Sequence, residues 1–97
     1  MKKLFLLVLM AFSSAMLLAQ PIAVKGTVVG AEDGLPIIGA YVLQQGTNNG
    51  TSTDIDGNFV LEVPKDATLI VSSVGFKTQS VAVNGRAVLN ITMATES

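Results

Sequence analysis

Ninety-seven residues suffice for one small domain, and the absence of cysteine and histidine removes disulfide frameworks, thiolate metal sites and Ser–His or Cys–His nucleophiles. A formal charge of −1, from six cations and seven carboxylates with no basic run, also removes the clustered Lys and Arg that phosphate binding needs. Nucleic acid is therefore not an expected partner.

The first element is a leader. Lys2 and Lys3 precede an unbroken apolar run over residues 4–12, and "SSAMLLA" (13–19) ends in the small residue Ala19. A positive, then an apolar, then a small-residue region marks a secretory signal peptide over 1–19, with cleavage expected between Ala19 and Gln20. A membrane anchor is the competing reading. A spanning helix needs about 20 apolar residues, whereas this run is shorter and carries Ser13 and Ser14. With no cysteine after the apolar region, lipidation of a new N-terminal cysteine is excluded. An exported domain is then expected over 20–97. There Lys25, Lys65, Lys77 and Arg86 stand against Glu32, Asp33, Asp54, Asp56, Glu62, Asp66 and Glu96, four against seven, or a net −3. A domain this small buries only about 60% of the surface its unfolded chain exposes. Without disulfides it depends on a well-patterned core.

Beyond Pro21, turn signals recur at "GAEDGLP" (30–36), "GTNNG" (46–50), "DIDGN" (54–58), "PKDA" (64–67), "VGF" (74–76) and "NGR" (84–86). Runs rich in Val, Ile, Thr and Leu lie between them, the pattern of an all-β sandwich or barrel. Alternation assigns their faces. In "IAVKGTVVG" (22–30), Val24, Gly26 and Val28 oppose Lys25 and Thr27. In "GAYVLQQ" (39–45), Ala40 and Val42 oppose Tyr41 and Leu43. "NFVLEV" (58–63) puts Phe59, Leu61 and Val63 inward, and "TLIVSSV" (68–74), apolar on both faces, fits a central strand. "FKTQSVAV" (76–83) sends Lys77 and Gln79 outward, then Val81 and Val83 inward, while "RAVLNITM" (86–93) offers Leu89, Ile91 and Met93 on one face. Asn84-Gly85 is the favoured type I′ pair, so these last two strands are expected to form a hairpin. The total is six strands, or seven if "TST" (51–53) pairs as a short edge.

The stretch "GTSTDIDGNF" (50–59) resembles part of a calcium-binding loop. A helix-flanked loop of that kind needs oxygens at alternating places, glycine at the sixth and glutamate at the twelfth. Counted from Asp54, the oxygens fall at Asp54, Asp56 and Asn58, but Gly57 comes fourth, Lys65 twelfth, and the flanks are β. The preferred reading is a tight corner, with Asp54 and Asp56 bonding local backbone and Gly57 tolerating positive φ. Gly75 in "SSVGFKT" either makes a turn or bulge or admits a close backbone. Paired carboxylates could do acid–base work, but so small a sandwich leaves little room for a closed pocket. Tyr41 is the exposed-ring candidate for stacking on a sugar, with plain surface packing as the simpler expectation. No cofactor is expected.

The series "KGTVVG" (25–30), "LPIIGAYVLQQGTNNGTSTDIDGNF" (35–59), "VP" (63–64) and "ATLIVSSVGFKT" (67–78), closed by a hydrophobic strand, resembles the carboxypeptidase-regulatory-like domain. More narrowly, it is similar to the N-terminal extension of SusC/RagA-type TonB-dependent outer-membrane transporters. The resemblance covers essentially the whole chain after the leader. It implies a transthyretin/prealbumin-like, Ig-like Greek-key β-sandwich of six to seven strands. It also implies a periplasmic or outer-membrane-associated accessory role without chemistry of its own. The implied partner is protein, either the rest of a transporter or its lipoprotein and TonB machinery, with membrane contact only through the larger transporter. Family members usually continue into a "DEVVV"-like segment, where this sequence reads "MATES" (93–97). A fragment of a transporter and a free-standing copy are both compatible with that. The alternatives are a secreted module binding carbohydrate or a cell-surface partner, and a calcium-dependent adhesive domain.

Overall fold

The computed structural model describes residues 21–96. The expected signal peptide and its cleavage site lie outside the described residues. Seven strands form: β1 (Ile22–Gly30), β2 (Tyr41–Gln44), β3 (Gly50–Ser52), β4 (Asn58–Val63), β5 (Thr68–Ser72), β6 (Gln79–Ala82) and β7 (Val88–Met93). They make a three-stranded sheet, β4-β1-β7, and a four-stranded sheet, β3-β2-β5-β6. The fold is an all-β sandwich. The short edge expected at 51–53 is present as β3, shifted by one residue, and β5 is interior to its sheet as its two apolar faces suggest.

Alternation decides which side chains enter the core. From the first sheet, Val24, Val28, Phe59, Leu61, Val63, Leu89, Ile91 and Met93 are buried; from the second, Val42, Leu69 and Val71, with Val83 just past β6, complete the core. Each such side chain contributes roughly 1.5–3 kcal/mol by leaving water. Gly26 sits opposite Phe59 on β4 and Leu89 on β7. A Cβ there would overlap Cε1 and Cζ of Phe59, so the missing side chain is the space the ring occupies.

The expected 84–85 hairpin does not form. Asn84 (φ 51°) and Gly85 (φ 72°) do make the turn, and Arg86 N donates to Val83 O at 3.0 Å. The strands then part: β6 pairs antiparallel with β5, and β7 pairs parallel with β1 in the other sheet. The reason is face parity. A two-residue hairpin sets Val83 opposite Arg86 and Val81 opposite Val88, which would put Val88, Asn90 and Thr92 on the core side. Leu89, Ile91 and Met93 would then face water. Crossing to the free edge of β1 buries them instead and gives that sheet its third strand.

Thr53 is the buried polar residue at the end of β3, 5% exposed. Its Oγ1 donates to Ile37 O at 2.5 Å and accepts from Ala40 N at 2.9 Å, tying the 37–40 segment to the sheet edge. Thr53→Val is expected to cost about 1–3 kcal/mol in urea denaturation, because two buried backbone groups lose their partner. Wild-type stability in the valine variant would show that the segment holds without this tie.

Candidate functional site

The corner between β3 and β4 is built by its own backbone. Asp54 Oδ1 accepts from Asp56 N at 3.0 Å and Asn58 N at 2.9 Å, Asp54 N donates to Asn58 O at 3.0 Å, and Gly57 N donates to Asp54 O at 2.9 Å. Gly57 has φ 77°, and its O accepts from Val28 N at 2.8 Å. The carboxylate thus substitutes for a missing turn carbonyl, as Asx turns do. Two of the three side chains considered for calcium are engaged in local or cross-strand hydrogen bonds. Asp54 Oδ1 serves two amides, and Asn58 Oδ1 accepts from Thr27 Oγ1 at 2.7 Å. Among the described residues, no three acidic, histidine or cysteine side chains are grouped for a metal ion. Asp54→Ala is expected to cost about 1 kcal/mol, and Asp54→Asn less, since the amide oxygen still accepts. Melting curves of both variants check this, and equal losses would assign the effect to charge.

Tyr41 is 42% exposed on the outer face of β2. Its ring lies over Gly50 of β3, where a Cβ would come within 2.7 Å of Cζ. One face of the ring is therefore occupied by the neighbouring strand. Gly75 (φ 87°) makes the turn after β5, with Phe76 N donating to Ser73 O at 3.1 Å. Gly75 O and the Lys77 amide are then tied to Glu96 and Ala94 at 2.9 Å each, so the segment after β7 clasps this turn.

Four strand edges are presented, and three are short or blunted. β3 has three residues. On β4, hydrogen-bond phase turns the backbone of Asn58, Val60 and Glu62 outward. Asp54 occupies both groups of Asn58, and Asn49 Nδ2 donates to Glu62 O at 2.7 Å. On β6, the Arg86 guanidinium donates to Ala82 O. β7 is different. Lys25 N donating to Ala87 O, and Ala31 N to Met93 O, set the phase that points Val88, Asn90 and Thr92 away from β1. Among the described residues no comparable side-chain cap falls on these six residues.

The family model of the CarboxypepD_reg-like domain matches residues 24–97. The chain belongs to this family. TonB-dependent receptor P39 of Formosa agariphila is 46% identical over 74 residues, which are 75% of this chain and 7% of that protein. TonB-dependent receptor SusC of Bacteroides thetaiotaomicron is 42% identical over 82 residues, 84% of this chain and 8% of that protein. The chain thus spans less than a tenth of the length of these curated relatives. Among solved structures, a chain of a type II cohesin–X-dockerin complex from Acetivibrio cellulolyticus matches with a TM-score of 0.62. The match covers 76% of this chain and 58% of that one at 20% identity, a likeness of fold alone.

Among the described residues of this CarboxypepD_reg-like domain, two open depressions stand out. One, of about 320 Å³, lies on the outer face of the first sheet, where Val60 and Val88 flank Lys25. The other, of about 520 Å³, lies at the end of the sandwich among Asp33, Leu35, Pro36, Ile38, Val74 and Phe76. Sequence reasoning singled out neither. It also missed Thr53 and Asn49, which reach backbone groups 13 or more residues away, and Arg86, whose guanidinium caps β6 from four residues away. The signal for the second depression was present as three aliphatic residues inside loops: Leu35, Ile38 and Val74.

Proposed function

We propose that this CarboxypepD_reg-like domain is a non-enzymatic accessory module of a SusC-like TonB-dependent outer-membrane transporter, acting in the periplasm by protein–protein contact. The observation that carries this is one of proportion. The domain is 42–46% identical to receptors of which it spans 7–8%. A unit of this size within much longer receptors contributes something other than the pore. Even an eight-stranded membrane barrel at about 9–11 residues per strand would consume the whole chain after the leader. Catalysis has no support from the side chains. Histidine and cysteine are absent, and Asp54 and Asp56 lie exposed on a turn whose carboxylate bonds are local. The uncapped β7 edge supports contact by strand addition, in which main-chain bonds supply affinity, more strongly than the three-residue β3.

The test places a photo-crosslinking residue at Thr92 in cells producing the protein. The expected result is an outer-membrane adduct containing a TonB-dependent transporter polypeptide, identified by mass spectrometry. Recovery of the protein uncrosslinked in the medium, with NMR shifts on adding glycans, would overturn this reading in favour of a secreted carbohydrate-binding module.

A further inference from the structure

We infer that the groove at the end of the sandwich, between residues 33–39 and 73–76, docks a partner segment that interleaves apolar and cationic side chains. This rests on the reading that the domain works by protein contact, and it names the chemistry that contact selects.

Leu35, Ile38 and Val74 are 61%, 64% and 99% exposed, and they gather with Pro36 and Phe76 around the open groove of about 520 Å³. Monomers scatter exposed aliphatic residues singly; a contiguous group around a concavity marks a contact surface. The walls are not loose loops. Gly30 N donates to Leu35 O, Ile37 N to Val28 O and Gly39 N to Thr53 O on one side. Phe76 N donates to Ser73 O, and Glu96 N to Gly75 O, on the other. A surface held by backbone bonds loses little freedom when it is filled.

Charge selects the occupant. Asp33 lines the groove and its Oδ1 accepts from Leu35 N at 3.0 Å. Glu32 is held by Thr95 Oγ1 at 2.8 Å, and Glu96 is anchored beside Gly75. Asp54 and Asp56 stand on the corner whose Gly57 lies against Pro36. Five of the seven carboxylates after the leader therefore collect at this end, with Lys77, next to Phe76, as the cation in the same segment. Lys65 and Arg86 lie at the opposite end, where Gly85 N donates to Lys65 O at 2.8 Å. Asp33 stands in the groove lining and the other four carboxylates lie on segments joined to its walls, an arrangement that attracts a cationic apolar segment and repels an acidic one.

The test is NMR titration of the 15N-labelled protein with two ten-residue peptides, one alternating Lys with Leu and the other Glu with Leu. The lysine peptide is expected to shift the amides of Leu35, Ile38, Val74 and Phe76 saturably. Paired Ile38→Ser and Val74→Ser substitutions should weaken it at least tenfold. Paired Glu32→Gln and Asp33→Asn should weaken it several-fold while preserving the turn that Asp33 caps. All four positions are exposed, so an unchanged spectrum elsewhere reports intact folding. Equal affinity for the glutamate peptide, or no saturable shift with either, overturns the proposal. Shifts confined to Val88, Asn90 and Thr92 also overturn it while leaving the protein-contact reading in place. Groove shifts in a protein that is recovered uncrosslinked in the medium and also shifts with glycans would sink the transporter reading alone.

Discussion

Phe59→Ala is expected to destabilise the domain by about 3–5 kcal/mol, the usual loss when a buried ring is truncated and its cavity cannot collapse. Domains have about 0.05–0.15 kcal/mol of stability per residue, so this is a large fraction of the total. The cavity would open directly over Gly26, whose position leaves Phe59 4% exposed and its ring against bare backbone. Gly26→Ala is expected to cost about 1–3 kcal/mol by overpacking, because the new methyl overlaps the ring and comes 3.0 Å from Leu89 O. The two losses should not add. In the double variant the methyl introduced by Gly26→Ala enters the volume the ring has left, so that protein should be more stable than additivity by roughly 0.5–3 kcal/mol. Urea midpoints of the four proteins measure this directly. Strict additivity would mean that the ring does not occupy the Gly26 space.

Gly57→Ala is expected to cost about 2–5 kcal/mol, and Gly85→Ala only about 1–2 kcal/mol. Their φ angles are close, 77° and 72°, so the penalty of a left-handed backbone is shared. Surroundings separate them. A Cβ on Gly57 would come 2.7 Å from Val28 O and 2.9 Å from Pro36 Cβ, whereas nothing lies within 4 Å of one on Gly85. Relief at Gly57 requires moving the strand whose Val28 N donates to Gly57 O, or the loop that carries Pro36. The variant should therefore also shift the amide signals of Leu35 and Ile38. Equal losses at the two glycines, read by thermal denaturation, would show that the corner yields without strain.

The residue pattern alone determined most strands and their inward faces. Gln79, read as outward, instead pairs with buried Val71 and shares the core-side face with Val81, because the register with β5 sets its parity. Val24 with Val28, Phe59 with Leu61 and Val63, and Leu89 with Ile91 and Met93 are all buried as alternation requires, because a period of two is a local property. Turn chemistry was equally local: the bonds at Asp54 span at most four residues, and positive φ at Asn84 and Gly85 follows from residue type. Which strand lies beside which was settled only by the tertiary structure. The Asn84-Gly85 pair announced a reversal, but parity around a two-residue turn opposed the alternation of the strand that follows. Burying Leu89, Ile91 and Met93 outweighed continuing the hairpin, so β7 crossed to β1, 63 positions away at the Lys25–Val88 pairing. Thr53, the Asn49 cap and the acidic groove share this origin. Each joins groups far apart in the chain, and long-range pairing depends on covering the apolar face of the whole sandwich, a quantity no short window contains.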